Sequence, residues 1–155
     1  MARLLRRTLA LALLIGALTA PEDVQAPVPS HGCVRTDRVV DVGLSRIRYP
    51  NVLAHAERAA AQGWPSVYVI TRRAADARRD RLLRDIPTRR GHDRDEVPPA
   101  IGRGRGNGLT AGRDPRGWKA DVEYVPSGEN RGAGSVMGIK LRRFCGGTRF
   151  RYVGY

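Results

Sequence analysis

Apolar positions change their period several times along this chain, and each change marks a predicted element. Residues 9–18 form a near-continuous apolar run behind Arg3, Arg6 and Arg7, with small residues at Ala17 and Ala20. That layout predicts a secretory signal peptide over residues 1–26, cut near residue 20 or 26 and too short to span a bilayer comfortably. A retained anchor is the alternative. Residues 20–34 are proline-rich, polar and aperiodic, so the segment 27–48 reads as an extended leader followed by a first strand at 39–48.

Helical spacing begins after Tyr49. Asn51 is placed to cap a helix over residues 52–62, with Val52, Ala56, Ala59 and Ala60 on one side and Gly63 closing it. The β-branched run SVYVIT at 66–71 fits a buried central strand, and residues 74–85 fit an Arg-rich second helix with Pro87 beyond its end. HDRDEVPPA at 92–100 falls in a turn or at a strand end. Residues 102–118 read as a loop insertion, because glycines this dense would lose too much backbone entropy inside an element. A strand at 121–125 then leads through PSGENRGAG to a helix at 135–143, and a last strand spans 149–153. The order predicts one small α/β (α+β) domain, compatible with a ββα metal-binding core.

Composition adds a partner class. The 155 residues carry a formal charge of +13, and removing residues 1–20 takes away only Arg3, Arg6 and Arg7. A polyanion is favoured. Almost all of the positive charge is arginine, with lysine only at Lys119 and Lys140, which coding bias explains as readily as phosphate binding. An exported chain meets oxidising conditions in which Cys33 and Cys145 can pair. The bridge would close a loop of about 110 residues, worth roughly 4 to 5 kcal/mol in the chain-entropy model. Two unpaired thiols are the alternative.

Against this basic background the acidic residues are concentrated. Asp93, Asp95 and Glu96 lie within four positions, and Glu123, Glu129 and Asn130 supply a second group of oxygen donors. Clustered anions repel unless a cation or arginines compensate them. Surface pairing with Arg89, Arg90 or Arg94 is the plainer reading of the first group, and a turn with a helix cap is that of the second. The spacing of a calcium-binding EF-hand loop is absent, and residues 102–108 lack the strand and the glycine spacing of a phosphate-binding loop.

The two groups also carry a resemblance. DRDE followed by proline, then VEYVP, then ENRGAGS, resembles the NucA/NucB deoxyribonucleases, small secreted bacterial nucleases that form a reduced branch of the His-Me finger endonucleases. The order YPNVLAHAERAAAQGWPSVYVITR, DIPTRRGHDRDEVPPA and GGTRFRYV is similar too, so the similarity covers residues 49–155, with 102–118 a departure from the family's shorter connection. The resemblance implies a ββα-metal core and a metal-dependent, sequence-nonspecific DNA endonuclease that is secreted, extracellular, monomeric and not held at a membrane after its signal is removed.

Residue by residue, the resemblance implies Asp95 as general base, with Glu96 as runner-up and Asp93 as an orienting group. It implies Asn130 as ligand to Mg²⁺ or Mn²⁺, with Glu129 beside it and Glu123 projecting from the preceding strand. Glu123 and Tyr124 face opposite sides of that strand, so only one of them reaches the site. Arg131 and Arg94 are placed to neutralise phosphate, while Arg78, Arg81, Arg103 and Arg105 are placed to follow a DNA backbone. His92 adjoins the first motif, His31 lies in the leader, and His55 has no partner suggested by the sequence. A noncatalytic cationic protein that binds extracellular DNA or an anionic cell-surface polymer is the competing function.

Overall fold

The computed structural model describes residues 32–103 and 119–155. The signal peptide expected at 1–26, most of the insertion and Arg105 lie outside the described residues. Residues Gly32–Tyr155 make one compact unit. In chain order its elements are β1 (Val40–Leu44), α1 (Pro50–Ala61), β2 (Tyr68–Val69), α2 (Ala75–Leu83), β3 (His92–Val97), β4 (Asp121–Pro126), α3 (Ser127–Leu141) and β5 (Arg149–Gly154), with a 3-10 turn at Ala100–Gly102. The fold is mixed α+β: among the described residues there are three α-helices and two sheets.

β1, β5 and β2 form one sheet in that order, with β1 parallel and β2 antiparallel to the central β5. β1 alternates as a half-buried strand should: Val40, Val42 and Leu44 are buried, whereas Asp41 is exposed and pairs with Arg151 on β5. β3 and β4 form a separate antiparallel hairpin, in which Asp93 faces Val125, Asp95 faces Glu123 and Val97 faces Asp121. The two sheets share a core of Val42, Leu44, Phe150, Val97 and Val125, closed by Leu53 from α1 and Leu141 from α3.

Several boundaries differ from the sequence expectation. The run at 66–71 contributes only Tyr68–Val69, at the edge of its sheet rather than its centre. It is still buried, because Tyr68 packs edge-on against Phe150 and Tyr152, and the turn at Gly102 passes so near that a Cβ there would lie 2.9 Å from that of Tyr68. The first acidic motif, expected in a turn or at a strand end, forms the whole of β3. α3 begins at Ser127, eight residues before the expected start, so ENRGAG is helical. Glycine weakens a helix interior by about 1 kcal/mol, but Gly132 admits the ring of Tyr49 so closely that a Cβ there would lie 2.7 Å from it. Contact between helix and ring outweighs propensity.

Cys33 and Cys145 are joined by a disulfide across a sequence separation of 112 residues. The bridge sits within a short parallel pairing, in which Val34 donates to the Arg143 carbonyl and Cys145 donates to the Val34 carbonyl. The leader after residue 32 is thereby fixed to the C-terminal end of α3. No described helix is long and apolar enough to cross a membrane.

Candidate active site

α1 presents a polar edge in an otherwise alanine-rich helix. Asn51, His55 and Arg58 recur at helical spacing and so share one side. Together they meet carboxylates from α3, β3 and β4. Both oxygens of Glu129, in the first turn of α3, accept hydrogen bonds from Asn51, one from its backbone N–H at 2.9 Å and one from its side-chain amide at 2.6 Å. Nδ1 of His55 lies 2.7 Å from Asp95 Oδ2 on β3, and Nε2 lies 3.3 Å from Asp121 Oδ2 on β4. Arg58 grips both oxygens of Glu123 on β4.

Glu129 also acts on α1 itself. Tyr49, the residue before this helix, makes no side-chain cap, so the Asn51 N–H would otherwise be an orphan donor of the first turn. The expected cap from the Asn51 side chain is replaced by a carboxylate from α3. Its negative charge also suits the positive end of the helix dipole.

His55 is fully buried. Burial alone favours its neutral ring, but the hydrogen bond to Asp95 and the charges of Asp95, Glu123 and Asp121 outweigh it and raise the pKa above its ordinary value. The sequence reading found no partner for this residue. The available signal was its place between Asn51 and Arg58 on one helix side, which becomes informative only once β3 and β4 are known to pack there.

A cavity of about 250 Å³ opens beside this edge, and both acidic motifs reach it. Asp93, Asp95 and Glu96 from β3 line it together with Asn130 and Arg131 from α3 and Arg79 from α2. Asp93 is fixed by Arg131, whose Nε is 3.0 Å away, and by the Ser127 hydroxyl at 2.8 Å. The Arg131 hydrogen bond holds its carboxyl below the ordinary range against the effect of burial, with help from Ser127. Glu96 is buried between Arg103 and Arg79; burial raises its pKa and the two guanidinium charges only partly offset this. No hydrogen bond joins the Asn130 amide to another of the described residues.

The arginines expected along a DNA backbone divide in the fold. Arg94 donates to the carbonyls of Leu83 and Ile86, closing the end of α2, and Arg78 donates to those of Thr71, Arg73 and Ala100. Arg103 has no exposed surface and binds Glu96. The donors of these three residues are directed at buried or local acceptors, although Arg94 also lines the cavity. Arg81 is exposed on α2, Arg131 is 76% exposed at the cavity, and Arg79, absent from the sequence expectation, is half-exposed on its wall.

Two places bear on a cation. One is the expected place, the first turn of α3, where Asn130 lines the cavity and follows Glu129 in sequence. The other is the group His55, Asp121 and Glu123, whose ligand atoms lie within 4.8 Å of one another and are compatible with a divalent metal. Glu123 was expected among the ligands. In the fold it belongs to the second group and is already engaged by Arg58, which holds its carboxyl below the ordinary range. Tyr124 points to the other side of β4 and donates to the Pro87 carbonyl, as strand alternation requires.

No protein-family model matches the chain. It is 37% identical over 102 residues to the DNA-entry nuclease of Bacillus subtilis (strain 168). The matched segment covers 66% of this chain and 62% of that relative.

Proposed function

From the kinship of this chain with the NucA/NucB-type nucleases, we propose that it is a secreted, metal-dependent deoxyribonuclease that cleaves DNA internally without sequence preference. The observation that carries this reading is the meeting of Asp93, Asp95, Asn130 and Arg131, from two motifs far apart in sequence, around one cavity. A purely polyanion-binding protein would have no use for acidic residues there, since they repel its ligand. An exported life is supported by the leader pattern at 1–26 and by the Cys33–Cys145 bridge. The protein works as a monomer, free of the membrane after the leader is removed.

In the proposed reaction a scissile phosphate lies over the cavity. Asp95, whose side chain is 13% exposed, takes a proton from the attacking water. Arg131 and Arg79 neutralise charge that builds on the phosphoryl oxygens, and Asp93 holds Arg131 in place. As the water oxygen bonds to phosphorus the P–O3′ bond breaks and the departing oxygen takes a proton from solvent, so the products carry 5′-phosphate and 3′-hydroxyl ends. Glu96, enclosed by two arginines, supports the wall of the site.

The first turn of α3 is the proposed place for a hard cation such as Mg²⁺ or Mn²⁺, supported by the Asn130 amide, which lines the cavity and bonds to no described residue, and by Glu129 beside it in sequence. Such an ion supplies positive charge opposite the scissile phosphate and the departing oxygen. Asn130 and Glu129 are its proposed ligands, with the bonds from Asn51 fixing the Glu129 carboxylate. The His55, Asp121 and Glu123 group is the second reading, favoured by the proximity of its ligand atoms. It would require Arg58 to release Glu123.

Plasmid nicking with and without EDTA, repeated with Asn130→Ala, tests the proposal. Wild-type protein should nick only with divalent metal, and the variant should be inactive at ordinary Mg²⁺ or Mn²⁺ levels with little change in DNA affinity, which arginines carry. EDTA-sensitive cleavage by Asn130→Ala at the original metal optimum would move the cation to the second group. EDTA-resistant cleavage by the wild type would remove the metal from the mechanism.

A further inference from the structure

We infer that His55 is a positioning residue for the base: its ring, clamped between Asp121 and Asp95, fixes the Asp95 carboxylate against the cavity. The inference rests on the nuclease reading with Asp95 as base. His55 itself is fully buried and does not line the cavity, so it does not meet substrate. Asp95 does line it, and Nδ1 of His55 is 2.7 Å from one of its two oxygens.

A carboxylate can only accept at this contact, so the imidazole must be the donor. One oxygen of Asp95 is thereby anchored from the side of α1, and the carboxylate's remaining face belongs to the cavity wall. The ring is itself restrained. Nε2 faces Asp121 at 3.3 Å, and Val52 and Ala59 of the same helix are core residues that fix the depth of α1. Asp121 and Asp95 lie on neighbouring strands of one hairpin, two residues apart in register, since Asp121 pairs with Val97. A single rigid ring spanning both strands therefore sets the base relative to the hairpin as well as to α1.

This arrangement matters because proton transfer depends on geometry, and a displacement of about 1 Å at a reacting group can lower a rate about 10²-fold. An unsupported Asp95 could rotate about χ1 and χ2 toward Arg79 or Arg131, both on the same cavity wall. The ring removes that freedom. A ligand role for His55 would instead need Nε2 turned to a cation, with Asp121 and Glu123 as co-ligands and Arg58 displaced.

The test compares His55→Asn, His55→Gln and His55→Ala in steady-state cleavage of a defined DNA duplex over a range of Mn²⁺ concentrations. The Asn amide reaches the place of Nδ1 and can still donate to Asp95, whereas the longer Gln amide reaches toward Asp121. We expect His55→Asn to retain kcat within about tenfold of wild type, and His55→Gln and His55→Ala to lose about 10²-fold in kcat, all with KM for DNA within about twofold. The Mn²⁺ concentration at half-maximal rate should not move. In an Asp95→Asn background the same substitutions should lower the residual rate by less than about threefold, because the group they position is gone.

Circular dichroism identifies folded variants, and the Asn and Gln pair carries the comparison if His55→Ala does not fold. Equal loss in His55→Asn and His55→Gln overturns the inference, as does a full additional loss in the Asp95→Asn background. Recovery of activity by excess Mn²⁺ also overturns it and makes His55 a ligand. A wild-type protein that fails to cut DNA under any metal condition defeats the nuclease reading itself, whatever the variants do.

Discussion

Asn51, in the first turn of α1, donates two hydrogen bonds to Glu129, in the first turn of α3, and so ties together two helix starts that lie 78 residues apart in sequence. The same contact fixes the direction of a carboxylate that adjoins Asn130, the amide facing the cavity. Asn51→Ala removes the 2.6 Å side-chain bond and leaves the backbone bond. Loss of such an outer support weakens metal affinity or activity about 10- to 100-fold. The Mn²⁺ concentration giving half-maximal nicking should therefore rise by at least about tenfold, with a loss of stability of about 1 kcal/mol. An unchanged metal requirement would show that Glu129 serves only as the cap of α1.

Asp95→Asn probes the base. Asparagine keeps the shape of the side chain and can still accept from His55, yet it cannot take a proton from water at neutral pH. Cleavage should fall by on the order of 10² to 10⁴, while DNA affinity stays within about twofold. Near wild-type turnover would remove Asp95 from the role and leave Glu96 and His92 as the neighbouring candidates. Of these, Glu96 is buried between Arg103 and Arg79, and His92 Nδ1 lies 3.2 Å from the Arg90 carbonyl, so neither is as well placed.

The parts of this site that the sequence exposed are those in which the chemistry is local. DRDE and ENR each crowd oxygen donors into a few positions, and their common cavity follows from a hairpin running directly into a helix. Strand alternation likewise separates Glu123 from Tyr124 on sequence grounds alone. The support from α1 was hidden, because Asn51, His55 and Arg58 find their partners 40 to 78 residues away. No local pattern records those distances. Arginine is ambiguous for a related reason: guanidinium groups on a basic surface and guanidinium groups bound to carbonyls of the fold look alike in sequence. Arg78 and Arg94 are of the second kind. The early start of α3 depends on Gly132 meeting Tyr49, which glycine-rich composition alone presents as a turn.

A pH prediction follows from Asp93. Arg131 and Ser127 bind its ionised form and depress its folded-state pKa below the ordinary carboxylate value of about 3.9. A depressed folded pKa contributes stability that is present above the unfolded value and is lost as pH falls through the folded one. Asp93→Asn should thus lower the melting temperature between about pH 5 and pH 7, and the difference from wild type should shrink as pH drops below about 4. The effect is small, since Arg131 is 76% exposed and screened by solvent. Thermal unfolding from pH 7 to pH 2 at constant ionic strength is the measurement. A difference that persists undiminished at pH 2 would assign the loss to packing instead of charge.

Cys33 and Cys145 provide the last prediction, and it separates the stability of the fold from its chemistry. Their bond closes a loop with a sequence separation of 112 residues, which in the chain-entropy model restricts the unfolded chain by roughly 4 to 5 kcal/mol. It lies at the far end of α3 from Asn130 and Glu129: Cys145 follows the C-terminal end of that helix, and the candidate ligands occupy its first turn. Reduction or Cys145→Ser should therefore lower the melting temperature strongly, while kcat measured well below that temperature stays within about twofold. Intact mass of protein taken from the growth medium should be about two daltons below the dithiol value, because one disulfide replaces two thiol hydrogens. Two alkylatable thiols in that material would refute the bridge. A large fall in kcat in folded Cys145→Ser would show instead that the bridge transmits order along α3 to the cavity, and would place the helix's C-terminal fixation within the catalytic apparatus.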